Sequence, residues 1–422
     1  MKKTLKKLFI SKKITAVFIA VFMMLSSAFP AFAAVDLNAS FSVDSDYWRF
    51  WPACEPISGV TGCLMDANTG TILYSKGIDA ARFPASITKV MTALVVVENC
   101  SLDEQVVMTE TGLADAFGGS SNINPVLGEV FTVDQCLKML LIKSANDVAS
   151  QLAEHTAGSV PAFAQMMNAR AAELGCRNTN FVNASGLEDD NHFTSARDMA
   201  LIMQAAIQNP VIAEIMASPS CEIPATNCSE ARYYSTHNYL MQPDSGFYYD
   251  GTLGGKTGYT PISGSTLVCY AHRNGITLIG VVLGAPESES NARDMITLFD
   301  YGFNNFYQAD AVSGIENSNG GLVTLPYGCD PSSLTMQYNQ VNDLTQVDYY
   351  IDDHILGGCY MTNENAEALK VLRGETTAQA AGPQNPEASG SSTTMTEGGK
   401  TDTGEISNTG AFVPKDASAK KE

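Results

Sequence analysis

Two pairs of short apolar runs frame the folded part of the chain. In GVTGCLMDANTGTILYSKG (59–77), two apolar runs flank a turn made of Asp, Ala, Asn, Thr and Gly. Apolar runs bounded by such turn chemistry are typical of two strands joined by a tight turn. A second pair of apolar runs, over 265–285, flanks Asn274 and Gly275. Asn-Gly between β-rich runs is a strong hairpin signal, so a second pair of strands is predicted here.

Between these strands, from about 84 to 245, apolar residues recur mainly with the period of a helix. The clearest segments are 132–158, 160–175 and 194–210, and the run 292–306 predicts a further helix after the second hairpin. Thr194 or Ser195 is suited to cap the third of these helices. Strands at both ends of a segment, with helices between them, predict an α+β domain over about 45–308.

The ends of the chain have a different character. Residues 1–33 combine a basic start, an apolar run and a small-residue cleavage site after Ala33, which is typical of a secretory signal peptide followed by a linker over 34–44. Residues 309–374 form short, polar, strand-like pieces and predict a small β-rich domain. Residues 375–422 contain almost no large apolar residue, and this composition predicts a disordered tail.

Charge and cysteine content narrow the classes of function. Removal of the predicted signal peptide takes away six of the 25 basic residues and none of the 45 acidic ones, which leaves a net charge of −26. This charge argues against nucleic acid or anionic lipid as partners. All ten cysteines follow the signal peptide, and export permits disulfides. Cys221 and Cys228 are candidates for one, whereas Cys63 and Cys269 lie in apolar stretches that predict buried thiols.

The sequence predicts neither a metal site nor a cofactor. No CxxC pair is present, and the histidines show no metal-binding spacing such as HExxH. The absence of GxSxG likewise disfavours an α/β-hydrolase.

Three short motifs carry the candidate chemistry. Ser86-Ile87-Thr88-Lys89 is S-x-x-K, placed at the start of a predicted helix, so that Ser86 and Lys89 share one face. Ser144-Ala145-Asn146 is S-x-N and interrupts the helical run 132–158. Lys256-Thr257-Gly258 is K-T-G and opens the second strand region. Each motif alone is common, but their order and their structural context are informative together.

This ordered set resembles that of penicillin-binding proteins and serine β-lactamases. Two longer stretches, FVNASGLEDDNHFTSARDMALI (181–202) and KTGYTPISGSTLVCYAHRNGITLIGVVLGA (256–285), closely resemble the low-molecular-mass D-alanyl-D-alanine carboxypeptidases, peptidase family S11. The resemblance covers roughly 45–308 and is faint over 309–374. It implies a β-lactamase/transpeptidase-like domain, an antiparallel sheet flanked by helices with a mostly helical subdomain. It also implies an exported enzyme that trims D-alanine from peptidoglycan stem peptides ending in D-Ala-D-Ala and is acylated by β-lactam antibiotics.

The resemblance also gives each motif a role. Ser86 is the expected acyl acceptor, and Lys89 serves as its base if burial and the charge of Lys256 keep it neutral. Ser144 is placed to relay a proton to the leaving amine, and Asn146 is suited to hold Lys89 and a substrate amide. Lys256 and Thr257 are expected to bind the substrate carboxylate, and Gly258 lets the backbone approach closely. The backbone N–H groups of Ser86 and Tyr259 are expected to form the oxyanion hole.

Three other functions are alternatives to a D-Ala-D-Ala carboxypeptidase. A β-lactamase is disfavoured because E-x-x-L-N is absent between the second and third motifs and the second motif is SAN rather than SDN. The sequence does not exclude a DD-endopeptidase acting on cross-linked peptides. A catalytically silent cell-wall-binding protein is disfavoured by the complete set of motifs.

The chain also departs from the family pattern at two places. Many relatives carry a carboxylate-binding arginine where this chain has Asn291, and the sequence leaves open whether Arg293 replaces it. Because the tail has no amphipathic helix, membrane association is also left open. His192, which matches a family stretch, is assigned to loop structure.

Overall fold

The structure is a computed structural model that describes residues 35–312 and 321–375. The predicted signal peptide and all of the predicted tail after Glu375 lie outside the described residues. The helices are α1 (Lys89–Asn99), α2 (Glu110–Ala114), α3 (Val133–Lys138), α4 (Asn146–Ala157), α5 (Val160–Glu173), α6 (Ala196–Gln208), α7 (Pro210–Ala217), α8 (Ser288–Asn305) and α9 (Asn363–Leu372). The strands are β1 (Thr61–Asp66), β2 (Ile72–Lys76), β3 (Gln105–Val107), β4 (Val130–Thr132), β5 (Ser220–Ile223), β6 (Arg232–Ser235), β7 (Thr252–Thr260), β8 (Gly264–Arg273), β9 (Ile276–Ala285), β10 (Phe306–Asp310), β11 (Leu322–Pro326), β12 (Thr335–Val341), β13 (Leu344–Ile351) and β14 (His354–Thr362).

Both predicted strand pairs belong to one antiparallel sheet of five strands, in the order β2-β1-β9-β8-β7. The hairpin between β8 and β9 turns at Asn274 and Gly275, which both have positive φ, as the Asn-Gly signal predicts. Strand β1, from the start of the domain, pairs with β9, from near its end, and both are inner strands of the sheet. Strand β7, which carries Lys256, Thr257 and Gly258, lies at one edge of this sheet.

Helices α1 to α7 pack against one side of this sheet, which contributes Val281 and Leu283 to the shared apolar core. The fully buried members of this core include Val90, Leu137, Val148 and Met203, which come from four different helices. Burial of such side chains contributes roughly 1.5–3 kcal/mol each. Ser195 caps α6 by accepting a hydrogen bond from the Asp198 N–H, as its position in the sequence predicts. The predicted helical run 132–158 is divided into α3, a π-helical turn over Met139–Lys143, and α4.

A second antiparallel sheet, in the order β10-β11-β14-β13-β12, follows α8. Its first strand begins at Phe306, inside the range predicted for the first domain, and helix α9 closes the region. Buried residues from this sheet, including Val323, Val347 and Leu356, belong to the same apolar cluster as Phe299 of α8. The region is β-rich, as predicted, and the domain boundary at 309 remains a prediction.

The cysteines are all free thiols, and all ten lie in the described part of the chain. The sequence left the pairing of the cysteines open and named Cys221 and Cys228 only as candidates. Cys221 is half-buried, Cys228 is exposed, and no bond joins them. Cys63 and Cys269 are fully buried, as predicted from their apolar surroundings.

Among the described residues no single helix is both long and apolar enough to cross a membrane. The pair α6 and α7 meets the length and composition criteria only when taken together, with a bend of 102° between them.

Candidate active site

The first motif lies where a short 3₁₀ turn, Ala85–Thr88, runs into helix α1. This geometry places Ser86 on the turn and Lys89 as the first residue of the helix. The amine of Lys89 lies 2.8 Å from Ser86 Oγ, at hydrogen-bond distance. Ala85, directly before the serine, has a φ of +51°, a left-handed conformation that a residue with a side chain adopts at a cost in energy. The local fold therefore presents the hydroxyl to the amine at hydrogen-bond distance.

Two carbonyl oxygens complete the surroundings of the Lys89 amine. It donates to Asn146 Oδ1 at 2.6 Å and to the backbone carbonyl of Ser185 at 2.7 Å. A carbonyl oxygen accepts hydrogen bonds and cannot donate them. A neutral amine has two N–H bonds and one lone pair, so these two acceptors engage both N–H bonds. The lone pair is then directed at the hydroxyl of Ser86, which is the orientation that a general base needs.

The second motif contributes through the break between α3 and α4. Ser144 has a φ of +66°, which reverses the chain after the π-helical turn and allows Asn146 to begin α4. The hydroxyl of Ser121 donates to the carbonyl of Lys143, and the Asn146 N–H donates to the carbonyl of Ser121 at 2.7 Å, so both ends of the break are anchored. Within the described part of the chain, no hydrogen bond joins Ser144 Oγ to another residue, so that hydroxyl is free for a bound molecule.

The third motif approaches the first from the edge of the sheet. A Cβ atom on Gly258 would lie 2.8 Å from the backbone nitrogen of Ser86, so only glycine permits this approach. Opposite Gly258 on β8, Thr266 donates from its hydroxyl to the carbonyl of Pro84 at 2.8 Å. Lys256 is buried and donates to the carbonyl of Thr257 at 2.7 Å. Tyr259, the next residue of the strand, is exposed.

Burial sets the charge state of both lysines. The pKa of Lys89 lies well below its usual value, chiefly because the amine is buried and also because Lys256 is positively charged. Asp147 and Asp115 act in the opposite direction. Burial lowers the pKa of Lys256 to about 7. Burial therefore favours the neutral form of the Lys89 amine, and near neutral pH Lys256 is divided between its two charge states.

A backbone turn that the motifs do not include supplies one of the contacts to Lys89. Oδ1 of Asn183 accepts hydrogen bonds from the Ser185 N–H at 3.2 Å and the Gly186 N–H at 2.7 Å. A Cβ on Gly186, whose φ is +83°, would lie 1.9 Å from the carbonyl oxygen of Ala85. The sequence reasoning missed this turn, because the stretch 181–202 supported the family resemblance only. The available signal was the glycine after Asn-Ala-Ser.

His192 supports this turn from the other side. Its Nδ1 accepts a hydrogen bond from the Val182 N–H, so Nε2 carries the proton and donates to Thr88 Oγ1 at 2.9 Å. Burial lowers the pKa of His192 to about 3, and the ring is therefore neutral. These contacts agree with the structural role predicted for this histidine.

Asn291, at the position where the family resemblance leads us to expect an arginine, is buried. The amide of Asn291 donates to Ser265 Oγ at 2.5 Å and lies 3.4 Å from the carbonyl of Thr266. Arg293 is exposed and stacks its guanidinium over the ring of Phe247 at 5.5 Å. Its described contact is therefore an aromatic one, outside the cluster formed by the three motifs.

Known proteins resemble this chain in sequence. The sequence profile of D-alanyl-D-alanine carboxypeptidases, peptidase family S11, matches residues 53–287. The chain is 32% identical to the D-alanyl-D-alanine carboxypeptidase DacA of Haemophilus influenzae over 285 residues, which cover 64% of this chain and 67% of that protein.

Solved structures show the same similarity. The structure of penicillin binding protein 5 from Haemophilus influenzae superposes with a TM-score of 0.61 at 27% identity and covers 74% of this chain and 98% of its own. The structure of a Streptomyces DD-transpeptidase superposes with a TM-score of 0.56 at 29% identity and covers 60% of this chain and 100% of its own.

The profile spans all three motifs, so the family predicted from them is confirmed, as is the fold class. The chain belongs to the D-alanyl-D-alanine carboxypeptidase family of serine peptidases, peptidase family S11.

Proposed function

We propose that this protein is an exported serine D-Ala-D-Ala carboxypeptidase, which removes the terminal D-alanine from peptidoglycan stem pentapeptides through an acyl-enzyme on Ser86. The observation that carries the proposal is the environment of Lys89, whose buried amine lies 2.8 Å from Ser86 Oγ and makes its other hydrogen bonds to two carbonyl oxygens. β-Lactams are covalent inhibitors in this proposal, because they acylate the same hydroxyl.

Acylation begins with the oxygen of Ser86. As Oγ bonds to the carbonyl carbon of the penultimate D-alanine, its proton passes to the lone pair of Lys89. The resulting ammonium makes hydrogen bonds to the carbonyls of Asn146 and Ser185, which stabilise the charge as it forms. Negative charge develops at the same time on the former carbonyl oxygen. The backbone N–H groups of Ser86 and Tyr259 are proposed to bind that oxygen, an arrangement worth about 10²–10³ in rate for each donor.

The substrate is proposed to lie along the outer edge of β7. An edge strand leaves one row of backbone N–H and C=O groups unpaired by the sheet, and an extended peptide can pair with them. Lys256 and Thr257 on this strand are proposed to bind the terminal carboxylate. A bound carboxylate favours the charged form of Lys256, so binding raises the pKa of that lysine above its value of about 7.

Collapse of the intermediate breaks the C–N bond, and the leaving nitrogen needs a proton. We assign the relay to Ser144, whose hydroxyl makes no hydrogen bond within the described part of the chain and is free to bridge a lysine amine and the leaving nitrogen. Water then attacks the acyl carbon, gives a proton to Lys89 and restores the hydroxyl of Ser86. No metal or cofactor is needed for any of these steps.

Labelling with a fluorescent penicillin tests the nucleophile. Wild-type protein should become covalently labelled, and Ser86→Ala should not. Ser220→Ala, a change to an exposed serine on β5, should retain the label. Absence of label on the wild type would instead support a cell-wall-binding protein without catalysis. Rapid multiple turnover of nitrocefin would support a β-lactamase.

Product analysis separates the carboxypeptidase from a DD-endopeptidase, because both cleave a bond of the same chemistry. The purified protein is incubated with a D-Ala-D-Ala pentapeptide and, separately, with cross-linked muropeptide dimers. Release of D-alanine from the pentapeptide is expected. Cleavage of the dimers alone would overturn the carboxypeptidase assignment.

Export is proposed from residues 1–33, which lie outside the described residues. The support is their order of basic, apolar and small residues. Mass determination of the protein recovered from the culture medium and cell envelope should give an N-terminus at Ala34. Recovery of the full-length chain in the cytoplasm would refute export.

A further inference from the structure

Three residues with metal-binding side chains meet at one end of the helical region, apart from the candidate active site. They are Cys100, Glu104 and His155, and their ligand atoms all lie within 4.8 Å of one another. Cys100 follows the last residue of α1, Glu104 lies just before β3, and His155 is in the last turn of α4. Because the cluster joins residues more than 50 positions apart, no local spacing in the sequence indicates it.

The distances are close to those that a tetrahedral zinc ion requires. His155 Nε2 lies 3.1 Å from Glu104 Oε2. With bonds of about 2.0–2.3 Å to nitrogen, oxygen and sulfur, two ligand atoms on one zinc ion lie roughly 3.3–3.7 Å apart. The nitrogen and oxygen need to separate by only a few tenths of an ångström. Cys100 Sγ, within 4.8 Å of both, needs a movement of about 1 Å, which a change in side-chain torsion provides.

The surroundings favour a cation at this point. Helices α1 and α4 both end here, at Asn99 and Ala157, and the C-terminal end of a helix carries partial negative charge from its unpaired carbonyls. Glu104 is already oriented, because its Oε1 accepts a hydrogen bond from the Ser101 N–H at 2.6 Å. Cys100 and His155 are half-buried, so an ion can reach them from solvent while part of its surroundings is protein.

We propose that Cys100, Glu104 and His155 bind one zinc ion, with water in the fourth position. Thiolate, imidazole and carboxylate together are a zinc ligand set, and binding releases the proton of the Cys100 thiol to solvent. The ion joins the loop after α1 to the end of α4. Since α4 begins at Asn146, the metal stabilises the helix that carries an active-site residue, and it takes no part in the reaction.

Metal titration of the whole mature protein tests the site. The metal-free, reduced protein is titrated with Zn²⁺ by calorimetry and with Co²⁺ by absorption spectroscopy, since a thiolate bound to Co²⁺ gives a charge-transfer band in the near ultraviolet. One equivalent of either ion should bind, the charge-transfer band should appear, and Zn²⁺ should raise the midpoint of thermal unfolding.

Three variants and a control separate this site from accidental binding. Cys100→Ser should abolish the charge-transfer band, and His155→Ala and Glu104→Gln should each weaken Zn²⁺ binding by at least about tenfold. Cys228→Ser removes an exposed thiol elsewhere and should leave binding unchanged. Circular dichroism checks that each variant is folded. Because Glu104 is exposed, Glu104→Gln is the variant least expected to disturb the fold. Lack of stoichiometric binding by wild type, or a band that survives in Cys100→Ser, would overturn the proposal.

Discussion

Replacing Asn183 by alanine tests the interpretation that the Ser185 carbonyl orients the base. Oδ1 of Asn183 accepts from the Ser185 N–H, the Ser185 hydroxyl and the Gly186 N–H at 3.2, 3.3 and 2.7 Å, and its Nδ2 donates to the Leu187 carbonyl at 2.9 Å. At about 1 kcal/mol net for each bond, their loss leaves the turn roughly 2–4 kcal/mol less stable. The Ser185 carbonyl then no longer holds the Lys89 amine in one orientation.

Two effects on acylation are expected. Misplacement of a reacting group by about 1 Å costs on the order of 10²-fold in rate, so the acylation rate constant should fall by about 10- to 100-fold. The carbonyl also favours the charged form of Lys89, and its loss lowers the pKa of that lysine further. Because the reaction needs neutral Lys89, the acidic limb of the pH–rate profile should move to lower pH while the maximum rate falls.

Stopped-flow measurement of acylation by a chromogenic β-lactam, at a series of pH values, gives both quantities. Asn180→Ala is the matched control, because the Asn180 amide donates only to the Asn191 carbonyl in the same loop, at 2.6 Å. Asn183→Asp keeps the accepting oxygen but adds negative charge near Lys89, and should move the acidic limb to higher pH. A rate that falls with the acidic limb unmoved would refute the orienting role, because loss of folded protein lowers the rate without moving the limb.

Three further predictions concern the same region. Lys89→Arg should nearly abolish penicillin labelling, because guanidinium keeps its proton, whereas Lys138→Arg, a surface change, should label like the wild type. Gly258→Ala should slow acylation by at least tenfold, because its Cβ would lie 2.8 Å from the Ser86 nitrogen. Gly118→Ala, which has open space around its Cβ and no positive φ, should not, and equal rates for both variants would contradict the close approach. His192 has a pKa of about 3 in the folded protein against 6.5 unfolded, so its contribution to stability is complete above pH 6.5 and is lost as the pH falls toward 3, at about 2 kcal/mol by pH 5. The free energy of unfolding, measured by chemical denaturation at pH 7 and pH 5, should show this loss in the wild type and not in His192→Gln. If the variant loses as much stability between the two pH values as the wild type, a group other than His192 causes the loss.

Order along the chain was enough to predict which residues come together, and insufficient to predict what surrounds them. Ser86, Lys89, Asn146 and Gly258 meet as their motifs predicted, because each motif combines reactive residue types with a recognisable local structure. The positive φ of Ala85 and Ser144 has no signal in the sequence, since tertiary contacts impose a conformation that alanine and serine seldom adopt alone. The Ser185 carbonyl is equally invisible, because every residue has a carbonyl and only the fold decides where it lies.

The surroundings of Lys89 explain why the site is built from carbonyls rather than carboxylates. Burial of an amine favours its neutral form. A carboxylate in contact with the amine would instead favour the ammonium form, which has no lone pair to accept the proton of Ser86. Among the described residues, the acids that raise the pKa of Lys89 are Asp147 and Asp115, and neither makes a hydrogen bond to its amine. Asp147 instead accepts from the backbone N–H groups of Ile123 and Val148, both at 2.9 Å. The acid adjacent to Asn146 is thus engaged with the backbone, and dipoles alone contact the base. Such dipoles orient a neutral amine and still stabilise the ammonium once the proton has moved, which a general base requires in both directions of the reaction.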